Sequence, residues 1–267
     1  MAKYEIGEFD PEKLVRREEF ELKPIGFGSA FSEFRNNSWY FKVGTSMYMF
    51  DCPHSNIEYL ATKEGKKILT GVTKLVIFVT HMHEDHIGGL SNITWLIASK
   101  FKKIATWIFI PTKLMMHVTN YLELTNANLP KVTVTQGDYY QDENVQIFPR
   151  AVDHIPGINC YGYVVYGGNG FINDNGDNWS IYYSGDSSHF VDDAILETFL
   201  EKPEGRKIYQ DITFNADNTV HCYKDRVTKA IPKALRGYIT PMHLDLYGDI
   251  NRCSKLGFNI PQEYTEI

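Results

Sequence analysis

Residues 80–89 read THMHEDHIGG and place three histidines and two carboxylates within the six positions 81–86. This stretch directly follows residues 75–79, LVIFV, a run of five apolar residues that predicts a strand buried on both faces. Ligand sites commonly form where such a central strand ends. Because neutral imidazoles and carboxylates are the usual ligands of zinc and similar ions, the stretch predicts a metal-binding loop.

Three further candidate ligands lie downstream of this loop. A catalytic metal ion takes about three protein ligands and a water molecule, and the loop offers more donors than one such set. His154 in AVDHIPG, Asp186 in YYSGDSS and His243 in ITPMHLD each follow a strand-like run. The sequence therefore predicts that these three side chains reach the same edge of the fold and complete a site for two ions.

Strand-like and helix-like segments alternate through both halves of the chain. Its 267 residues suit one large core, and the alternation favours a single domain, residues 1–267, with helices outside a central pair of sheets. Residues 1–20 are predicted to form a charged N-terminal extension, and residues 246–267 a C-terminal extension without an assigned structure. The pattern predicts helices over residues 57–69, 88–101, 112–124, 193–202 and 226–235.

Composition and charge exclude several classes of function. The net charge of -6 argues against non-specific binding of nucleic acid, which needs Lys and Arg side chains to neutralise phosphates. The four cysteines are widely spaced, which indicates reduced thiols in the cytosol rather than a disulfide framework. The N-terminus lacks an apolar signal region, and no stretch approaches the roughly 18 apolar residues of a membrane helix. We expect a cytoplasmic protein with no membrane partner and no long nucleic-acid partner.

The motif HMHEDH, taken with His154, Asp186 and His243, resembles the metallo-β-lactamase superfamily, and the resemblance extends over residues 22–245. It implies an αββα sandwich, in which two central mixed sheets carry helices on both outer faces. The filled set of His and Asp ligands is the pattern of the lactonase, glyoxalase and phosphodiesterase branches. It is not the pattern of the β-lactamases that use a Cys ligand.

The resemblance also implies a role for each of these residues. Asp51, in YMFDCP, matches the first-motif Asp of the superfamily. That Asp does not bind the ions itself but supports the loop of residues 80–89, here called the metal loop. Asp186 would bridge two ions. The remaining ligands would divide into two sets, His81, His83 and His154 for one ion and Asp85, His86 and His243 for the other.

Two divalent ions, zinc in the first place and manganese as the alternative, would be the cofactors. Such a pair can hold a bridging hydroxide and bind the oxygens of a phosphate, which suits hydrolysis of a phosphodiester. The same pair suits hydrolysis of an ester or a lactam. The metal ligands alone therefore do not select the substrate.

Two further segments resemble the ribonuclease Z-like phosphodiesterase branch. Residues 24–42, PIGFGSAFSEFRNNSWYFK, look like its opening motif, in which glycines permit a tight backbone near the site. The segment DNTVHCYKD resembles the one that carries a His shortly before the last ligand. By this resemblance His221 would protonate the leaving oxygen as general acid, and Asp85 would count with it among the catalytic residues.

The stretch between His154 and Asp186 bears on the substrate. Members that process tRNA carry a long basic, Gly/Pro-rich arm there, whereas residues 155–185 contain no Lys or Arg and read as strand, acidic turn and strand. The opening GSAFSEFRNNSWYF, together with the short segment between His154 and Asp186, most resembles the anti-Pycsar proteins. These are phage-encoded enzymes, with bacterial relatives, that open 3′,5′-cyclic nucleotides and silence a defence signal. The resemblance implies conversion of a small cyclic nucleotide to a nucleoside 5′-monophosphate, in the host cytoplasm if the chain is phage-encoded.

The resemblance implies a homodimer as well, since such relatives usually pair so that the partner subunit closes over the site. Residues 112–124, TKLMMHVTNYLEL, read as a helix whose Met and Leu side chains could form the dimer face. The same pattern fits a helix packed on its own sheet.

Three alternatives to the cyclic-nucleotide phosphodiesterase stay open on the sequence. The first is a ribonuclease Z-like tRNA 3′-processing endonuclease, which the missing basic arm disfavours. The second is a lactonase or thioesterase-type hydrolase, which shares the ligands but does not need His221 or the GFGSAF opening. The third is a non-catalytic metal-binding module, which the filled ligand set disfavours.

Overall fold

The computed structural model describes residues 20–167 and 179–264, which form two six-stranded sheets packed face to face. The strands of the first sheet are hydrogen-bonded in chain order. The first three pair antiparallel and the third to sixth pair parallel, so the sheet is mixed. These strands are β1 (Lys23–Gly26), β2 (Ser38–Val43), β3 (Ser46–Phe50), β4 (Lys74–Phe78), β5 (Ala105–Pro111) and β6 (Val132–Gly137).

The second sheet is mixed as well, and its strands also neighbour one another in chain order. Its first four strands pair antiparallel, and its last three pair parallel. These strands are β7 (Tyr140–Gln141), β8 (Val145–Val152), β9 (Cys160–Gly167), β10 (Trp179–Tyr183), β11 (Lys207–Asp211) and β12 (Ile239–Met242).

Helices cover the outer faces of both sheets. Leu60 and Ile93 pack with Leu75 of β4 in the layer outside the first sheet. Phe199 and Val227 pack with the second sheet. The predicted αββα sandwich of two mixed sheets is therefore confirmed. The described helices are α1 (His54–Ala61), α2 (Lys63–Ile68), α3 (Glu84–Ile87), α4 (Leu90–Lys100), α5 (Met115–Leu124), α6 (Asp193–Glu201), α7 (Lys224–Ala230), α8 (Tyr247–Leu256) and the 3-10 helices Thr112–Leu114, Lys233–Tyr238 and Gln262–Tyr264.

Strand β4 is buried on both faces, as its apolar run predicts. Val76 and Phe78 face the other sheet, where the Phe78 ring lies 5.5 Å from that of Tyr163. Leu75 and Ile77 face the helical layer instead. Because successive side chains of a strand point to opposite faces, such a run needs cover on both sides. The predicted strand is confirmed to within one residue at each end.

Local breaks make two of the predicted helices shorter than expected. The helix predicted over residues 57–69 is divided into α1 and α2 at Thr62, which is extended and accepts a hydrogen bond from the backbone N–H of Gly65 at 3.1 Å. Helix α7 ends before Pro232, because proline cannot continue a helix. The other predicted helices correspond to α4, α5 and α6.

Residues 246–267, which received no structure from the sequence, contribute to the core as far as they are described. Helix α8 buries Ile250 and Cys253 against the second sheet. The ring of Tyr264 is fully buried and stacks on Phe27 at 3.7 Å between centroids. This segment therefore packs as part of the sandwich.

Some sequence predictions fall outside the described residues. They concern residues 1–19 of the charged N-terminal extension, residues 168–178 within the strand, acidic turn and strand predicted over residues 155–185, and residues 265–267. Phe20, the last residue of the predicted N-terminal extension, is described. It is buried, and its ring lies 5.8 Å from that of Phe41. No helix in the described part of the chain has the length and apolar character needed to cross a bilayer.

Candidate active site

The predicted ligands all lie at one edge of the sandwich. The metal loop and α3 follow β4 directly, while His154 closely follows β8, Asp186 follows β10 and His243 follows β12. Each of these strands ends at this edge, so the polar residue that follows it lies there. The structure brings all seven predicted ligands together, in two groups that share Asp186.

The first group consists of His81, His83, His154 and Asp186, whose donor atoms lie within 4.8 Å of one another. The Nε2 atom of His81 lies 2.9 Å from Nδ1 of His83. The Nε2 atoms of His81 and His154 each lie 3.8 Å from Oδ2 of Asp186. Donor atoms this close, on side chains from three separate segments, are suited to one shared cation.

The second group consists of Asp85, His86, Asp186 and His243, again within 4.8 Å. The Nε2 atom of His243 lies 3.4 Å from Oδ2 of Asp85 and 3.3 Å from Oδ2 of Asp186. The Nε2 atom of His86 lies 3.5 Å from Oδ2 of Asp85 and 3.2 Å from Oδ1 of Asp186. Asp186 thus stands between the two groups, where a carboxylate would bridge two ions.

Two buried atoms at the centre of the site have no hydrogen-bond partner among the described residues. They are Nε2 of His86 and Oδ1 of Asp186. A buried polar atom without a partner is costly, and native proteins rarely leave one. A divalent cation would supply the missing interaction to both atoms, and histidine and carboxylate donors are what zinc and similar ions take. The residues present therefore fit two divalent ions.

Contacts behind the ligands hold the imidazole rings in place. Asp51, buried directly after β3, accepts a hydrogen bond from the backbone N–H of Thr80 at 2.9 Å and lies 2.7 Å from Nδ1 of His86. The Nδ1 atom of His154 lies 2.8 Å from the carbonyl oxygen of Val220. Because Nδ1 is engaged in both rings, Nε2 is the atom left for an ion.

Burial and neighbouring charges set the ionisation of the ligands. Burial lowers the pKa of His81 well below its ordinary value, and neighbouring His86 lowers it further, so His81 is neutral. Burial alone would raise the pKa of Asp186, but the charges of His243 and His86 outweigh it and hold that pKa well below the ordinary value. The hydrogen bond with His243 and the charge of the neighbouring His86 likewise overcome burial and lower the pKa of Asp85. Both carboxylates are therefore ionised.

Asp211, the last residue of β11, is a buried carboxylate at the site that sequence reasoning missed. Its Oδ2 lies 2.7 Å from Nδ1 of His221 and accepts a hydrogen bond from the backbone N–H of Ser187 at 3.0 Å. Its Oδ1 lies 3.8 Å from Nδ1 of His243. The signal in the sequence is an acid that ends an apolar strand, as Asp51 does, but YQDI also reads as an ordinary strand end.

His221 lies at the site, beside both metal-ligand groups. The centroid of its ring lies 4.7 Å from that of His243 and 5.0 Å from that of His154. Burial would lower the pKa of His221, but the charge and hydrogen bond of Asp211 outweigh it and raise that pKa to about 9. Asp211 therefore favours the protonated form of His221, with Nδ1 held by Asp211 and Nε2 free of that contact.

The glycine-rich opening motif lies against the chain that follows the last ligand. Gly28 forms a parallel bridge with Leu244, the residue after His243. A Cβ on Gly26 would lie 2.2 Å from the carbonyl oxygen of Asn36. The two glycines therefore allow a close backbone approach next to the site.

Comparison with known families assigns the chain to one of them. The profile of the family described as "Anti-Pycsar protein Apyc1" matches residues 20–255, which include every residue of both metal-ligand groups. The chain belongs to this family. A comparison with curated proteins finds no match.

Solved structures share the fold of this anti-Pycsar family member. The metallo-β-lactamase fold protein YhfI from Bacillus subtilis is 14% identical with a TM-score of 0.63, over 89% of this chain and 92% of that chain. A diphosphatase from the PhnP family is 17% identical with a TM-score of 0.62, over 86% and 90%. The short form of human tRNase Z is 18% identical with a TM-score of 0.59, over 84% and 92%. These likenesses confirm the predicted metallo-β-lactamase fold.

Family, fold and ligand groups together identify this anti-Pycsar family member as a metal-dependent hydrolase. The family match covers the opening motif and His221 as well as the ligands. It extends from the first described residue into α8, so almost all of the described fold belongs to the matched region.

Proposed function

We propose that this protein hydrolyses 3′,5′-cyclic nucleotides to nucleoside 5′-monophosphates and thereby removes a cyclic-nucleotide antiviral signal. The observation that carries the proposal is the pair of metal-ligand groups that share Asp186, with the protonated His221 beside them. A phosphodiester needs its oxygens neutralised and its leaving oxygen protonated, and this site is equipped for both. Membership of the anti-Pycsar family supports this substrate class.

The cofactors would be two divalent ions, with zinc as the first choice because histidines dominate the donor set and manganese as the alternative. When bound, such ions polarise the oxygens of a phosphate and activate water. Asp186 would contact both ions, because it belongs to both groups. The other ligands would be His81, His83 and His154 for one ion and Asp85, His86 and His243 for the other.

His221 would act as the general acid. Hydrolysis adds water to phosphorus and breaks the bond from phosphorus to the 3′-oxygen, and the departing oxygen then needs a proton. The Nε2–H of His221 would supply it, because Asp211 engages Nδ1 at 2.7 Å and keeps the ring protonated. Asp211 is thus a positioning residue for the proton donor.

Asp85 would take part as an ionised ligand and not as a proton donor. The hydrogen bond with His243 and the charge of the neighbouring His86 overcome the effect of burial and lower its pKa. Its Oδ2 lies 3.4 Å from His243 and 3.5 Å from His86, so it also holds these two imidazoles toward the shared centre. Loss of the carboxylate would therefore disturb the second group as a whole.

A small substrate in the cytoplasm suits the charge of the chain. The net charge is -6, and residues 155–185, between His154 and Asp186, contain no Lys or Arg that could hold a long polyanion. We therefore propose a small cyclic nucleotide and no long nucleic acid as the partner. The cytoplasm, of the host if the chain is phage-encoded, is where such a signal would be met.

A homodimer is part of the proposal, with α5 as the candidate dimer face. Val118 and Leu122 of α5 are buried in the layer outside the first sheet, while Met116 and Leu124 are exposed. The helix thus packs on its own sheet and still presents apolar side chains outward, which are available to a second copy.

A product assay tests the proposal directly. The metal-loaded protein would be offered 3′,5′-cyclic AMP, GMP, CMP and UMP in parallel with a precursor tRNA, a lactone and a thioester. We expect 5′-monophosphates from the cyclic nucleotides and no product from the other substrates. Cleavage of the tRNA, the lactone or the thioester with the cyclic nucleotides untouched would refute the proposal and identify the alternative.

The role of His221 needs a separate comparison of leaving groups. We expect His221→Ala to lower turnover of 3′,5′-cyclic AMP strongly, by about a hundredfold or more. The loss should be much smaller for thymidine 5′-(p-nitrophenyl phosphate), because p-nitrophenolate leaves without a proton. Equal losses on both substrates would exclude His221 as the general acid.

A further inference from the structure

Three exposed apolar side chains lie in two chain connections, one of which directly follows the last ligand. They are Phe31, in the loop between β1 and β2, and Leu246 and Tyr247, at the start of α8. Phe31 is fully exposed at 101%, Leu246 is 55% exposed and Tyr247 is 47% exposed. Single exposed apolar residues are ordinary, but three in the connections attached to one site indicate a surface that is covered in use. We call Phe31 and Tyr247 the aromatic rim.

Backbone and side-chain hydrogen bonds connect the aromatic rim to the site. The backbone N–H of Leu244 donates to the carbonyl of Phe27 at 2.9 Å, and that of Ser29 donates to the carbonyl of Leu244 at 3.1 Å. The hydroxyl of Ser29 donates to Oδ1 of Asp245 at 2.5 Å. Leu244 and Asp245 directly follow the ligand His243, so the loop that carries Phe31 is attached to the edge of the metal-ligand groups.

The loop that carries Phe31 is held in one conformation by its own hydrogen bonds. The backbone N–H of Gly28 donates to the carbonyl of Arg35 at 2.9 Å, which closes the loop at its base. The side-chain amide of Asn36 donates to the carbonyl of Ser29 at 2.9 Å, and the hydroxyl of Ser32 donates to the same carbonyl at 3.1 Å. A fixed loop with an uncovered ring at its tip pays little conformational entropy when a ligand binds.

A row of aromatic rings supports Tyr247 from the core. The ring of Tyr247 lies 6.2 Å from that of Phe34, which lies 4.7 Å from that of Phe27. Phe27 in turn stacks on the fully buried Tyr264 at 3.7 Å. The exposed face of Tyr247 is therefore carried on a rigid base.

We infer that Phe31 and Tyr247 form the surface on which the nucleobase of the substrate stacks, an inference that rests on the proposed function. With the phosphate at the metal-ligand groups, the base is the apolar, planar part of the substrate that remains. The hydrogen bonds of Ser29 with Leu244 and Asp245 attach the loop of Phe31 to the residues that follow the ligand His243. Aromatic side chains stack on the face of any base. The surface therefore binds purines and pyrimidines alike and contributes affinity without strict base choice.

Equilibrium binding tests this inference independently of turnover. Calorimetric titration of the metal-loaded protein would compare adenosine 5′-monophosphate with ribose 5-phosphate, which lacks the base. We expect the wild type to bind the nucleotide about fivefold more tightly or better, since stacking on one aromatic side chain contributes at least that much. Phe31→Ala and Tyr247→Ala should each weaken nucleotide binding about tenfold and leave ribose 5-phosphate unchanged. Phe31→Trp should retain the affinity of the wild type.

Trp95→Ala is the matched control, because Trp95 is an aromatic residue on α4 that is 49% exposed, close to the value for Tyr247. It should bind both ligands as the wild type does. Equal affinity of the wild type for the two ligands, or equal losses for both in the rim variants, would overturn the inference. So would conversion of a dimer to monomers by Phe31→Ala or Tyr247→Ala in light scattering, since a second copy would then cover the rim.

The two proposals fail in different ways. A protein that cleaves cyclic nucleotides but binds both ligands equally would refute the aromatic rim and leave the phosphodiesterase standing. A protein that binds the nucleotide through Phe31 but cleaves no cyclic nucleotide would refute the phosphodiesterase and support base stacking at the rim.

Discussion

The Nδ1 atom of His221 lies 2.7 Å from Oδ2 of Asp211, a carboxylate that the backbone N–H of Ser187 also holds at 3.0 Å. The other oxygen of Asp211 lies 3.8 Å from Nδ1 of His243. One side chain thus orients both the proposed proton donor and a proposed metal ligand. Because the contact with His221 is the shorter, replacement of Asp211 should affect the proton donor first.

The first prediction concerns the pH dependence of Asp211→Asn. Asp211 raises the pKa of His221 to about 9 from an ordinary value of 6.5. A general acid works in its protonated form, so wild-type kcat/KM should fall as the pH rises through about 9. Without the carboxylate, the pKa of His221 falls, and the same decline should begin at a lower pH. The measurement is kcat/KM for 3′,5′-cyclic AMP over the pH range.

The His221→Ala variant is the control for this profile, because it should lack the decline altogether and turn over slowly at every pH. Metal content should be determined for each variant, since Asp211 also lies near His243. A decline at the same pH in the wild type and in Asp211→Asn, with full metal content, would contradict the role given to Asp211.

The second prediction concerns Asp186→Ala. Asp186 belongs to both metal-ligand groups, so its removal leaves each group one donor short and the buried His86 Nε2 without its carboxylate neighbour at 3.2 Å. We expect bound metal to fall below two ions per chain and turnover to fall by at least about a hundredfold. Elemental analysis after gel filtration and the product assay measure the two effects. Full metal content in the variant would exclude Asp186 as the bridge.

Glu84→Gln is the matched control for Asp186→Ala. Glu84 is the one carboxylate of the HMHEDH motif that neither metal-ligand group includes, and its side chain is at the surface. The variant should keep two ions. Loss of metal on this change would mean that the ligand assignment within the motif is wrong.

The sequence was informative wherever a local pattern decides the structure. The apolar run before the metal loop could only be covered on both faces by a layered fold, and Leu75 and Val76 are indeed buried in opposite layers. The ligand motif predicted a metal site because its donors are clustered, and the resemblance to the superfamily divided them between two ions. His154, Asp186 and His243 were found because each polar residue interrupts the sequence just after a strand-like run, and strands of one sandwich share their edges.

The features that the sequence did not predict depend on contacts between distant segments. Asp211 reads as an ordinary strand end in the sequence. It belongs to the site only because the folded chain places the ring of His221 and the backbone N–H of Ser187 against its carboxylate. Helix α8 is polar over most of its length, so its few apolar side chains were not recognised as a buried face. The burial of Tyr264 depends on Phe27, more than 200 positions earlier in the chain, and no local pattern contains that information.

The third prediction concerns the thiols. All four cysteines are free and buried, and burial raises the pKa of each thiol, to about 12 for Cys160 and for Cys222. At pH 8 a thiol with a pKa of about 12 is ionised in only about 1 molecule in 10,000, and the thiolate is the reactive form. We expect negligible reaction of the native protein with a disulfide reagent. After unfolding in denaturant, the reagent should release four equivalents of its own thiolate per chain, one for each cysteine. Rapid reaction of any thiol in the folded protein would contradict the buried positions.

The fourth prediction concerns Asp51→Asn. Asp51 has a left-handed backbone with φ of 61°, which asparagine tolerates, so the substitution removes the charge while keeping size and conformation. Its carboxylate engages Nδ1 of His86 at 2.7 Å and the backbone N–H of Thr80 at 2.9 Å. Removing such support from a ligand typically weakens metal binding about 10- to 100-fold. Titration with a competing chelator should show this loss for the ion held by His86.

Asp51→Ala separates the electrostatic role of Asp51 from its backbone role. Alanine would be strained at a φ of 61° and would also leave the hydroxyl of Thr80 without its 2.8 Å partner, so its melting temperature should fall as well. Asp51→Asn should keep a melting temperature near that of the wild type when both are metal-free. If metal affinity in Asp51→Asn equals that of the wild type, the ring of His86 is fixed by its packing and not by the carboxylate behind it.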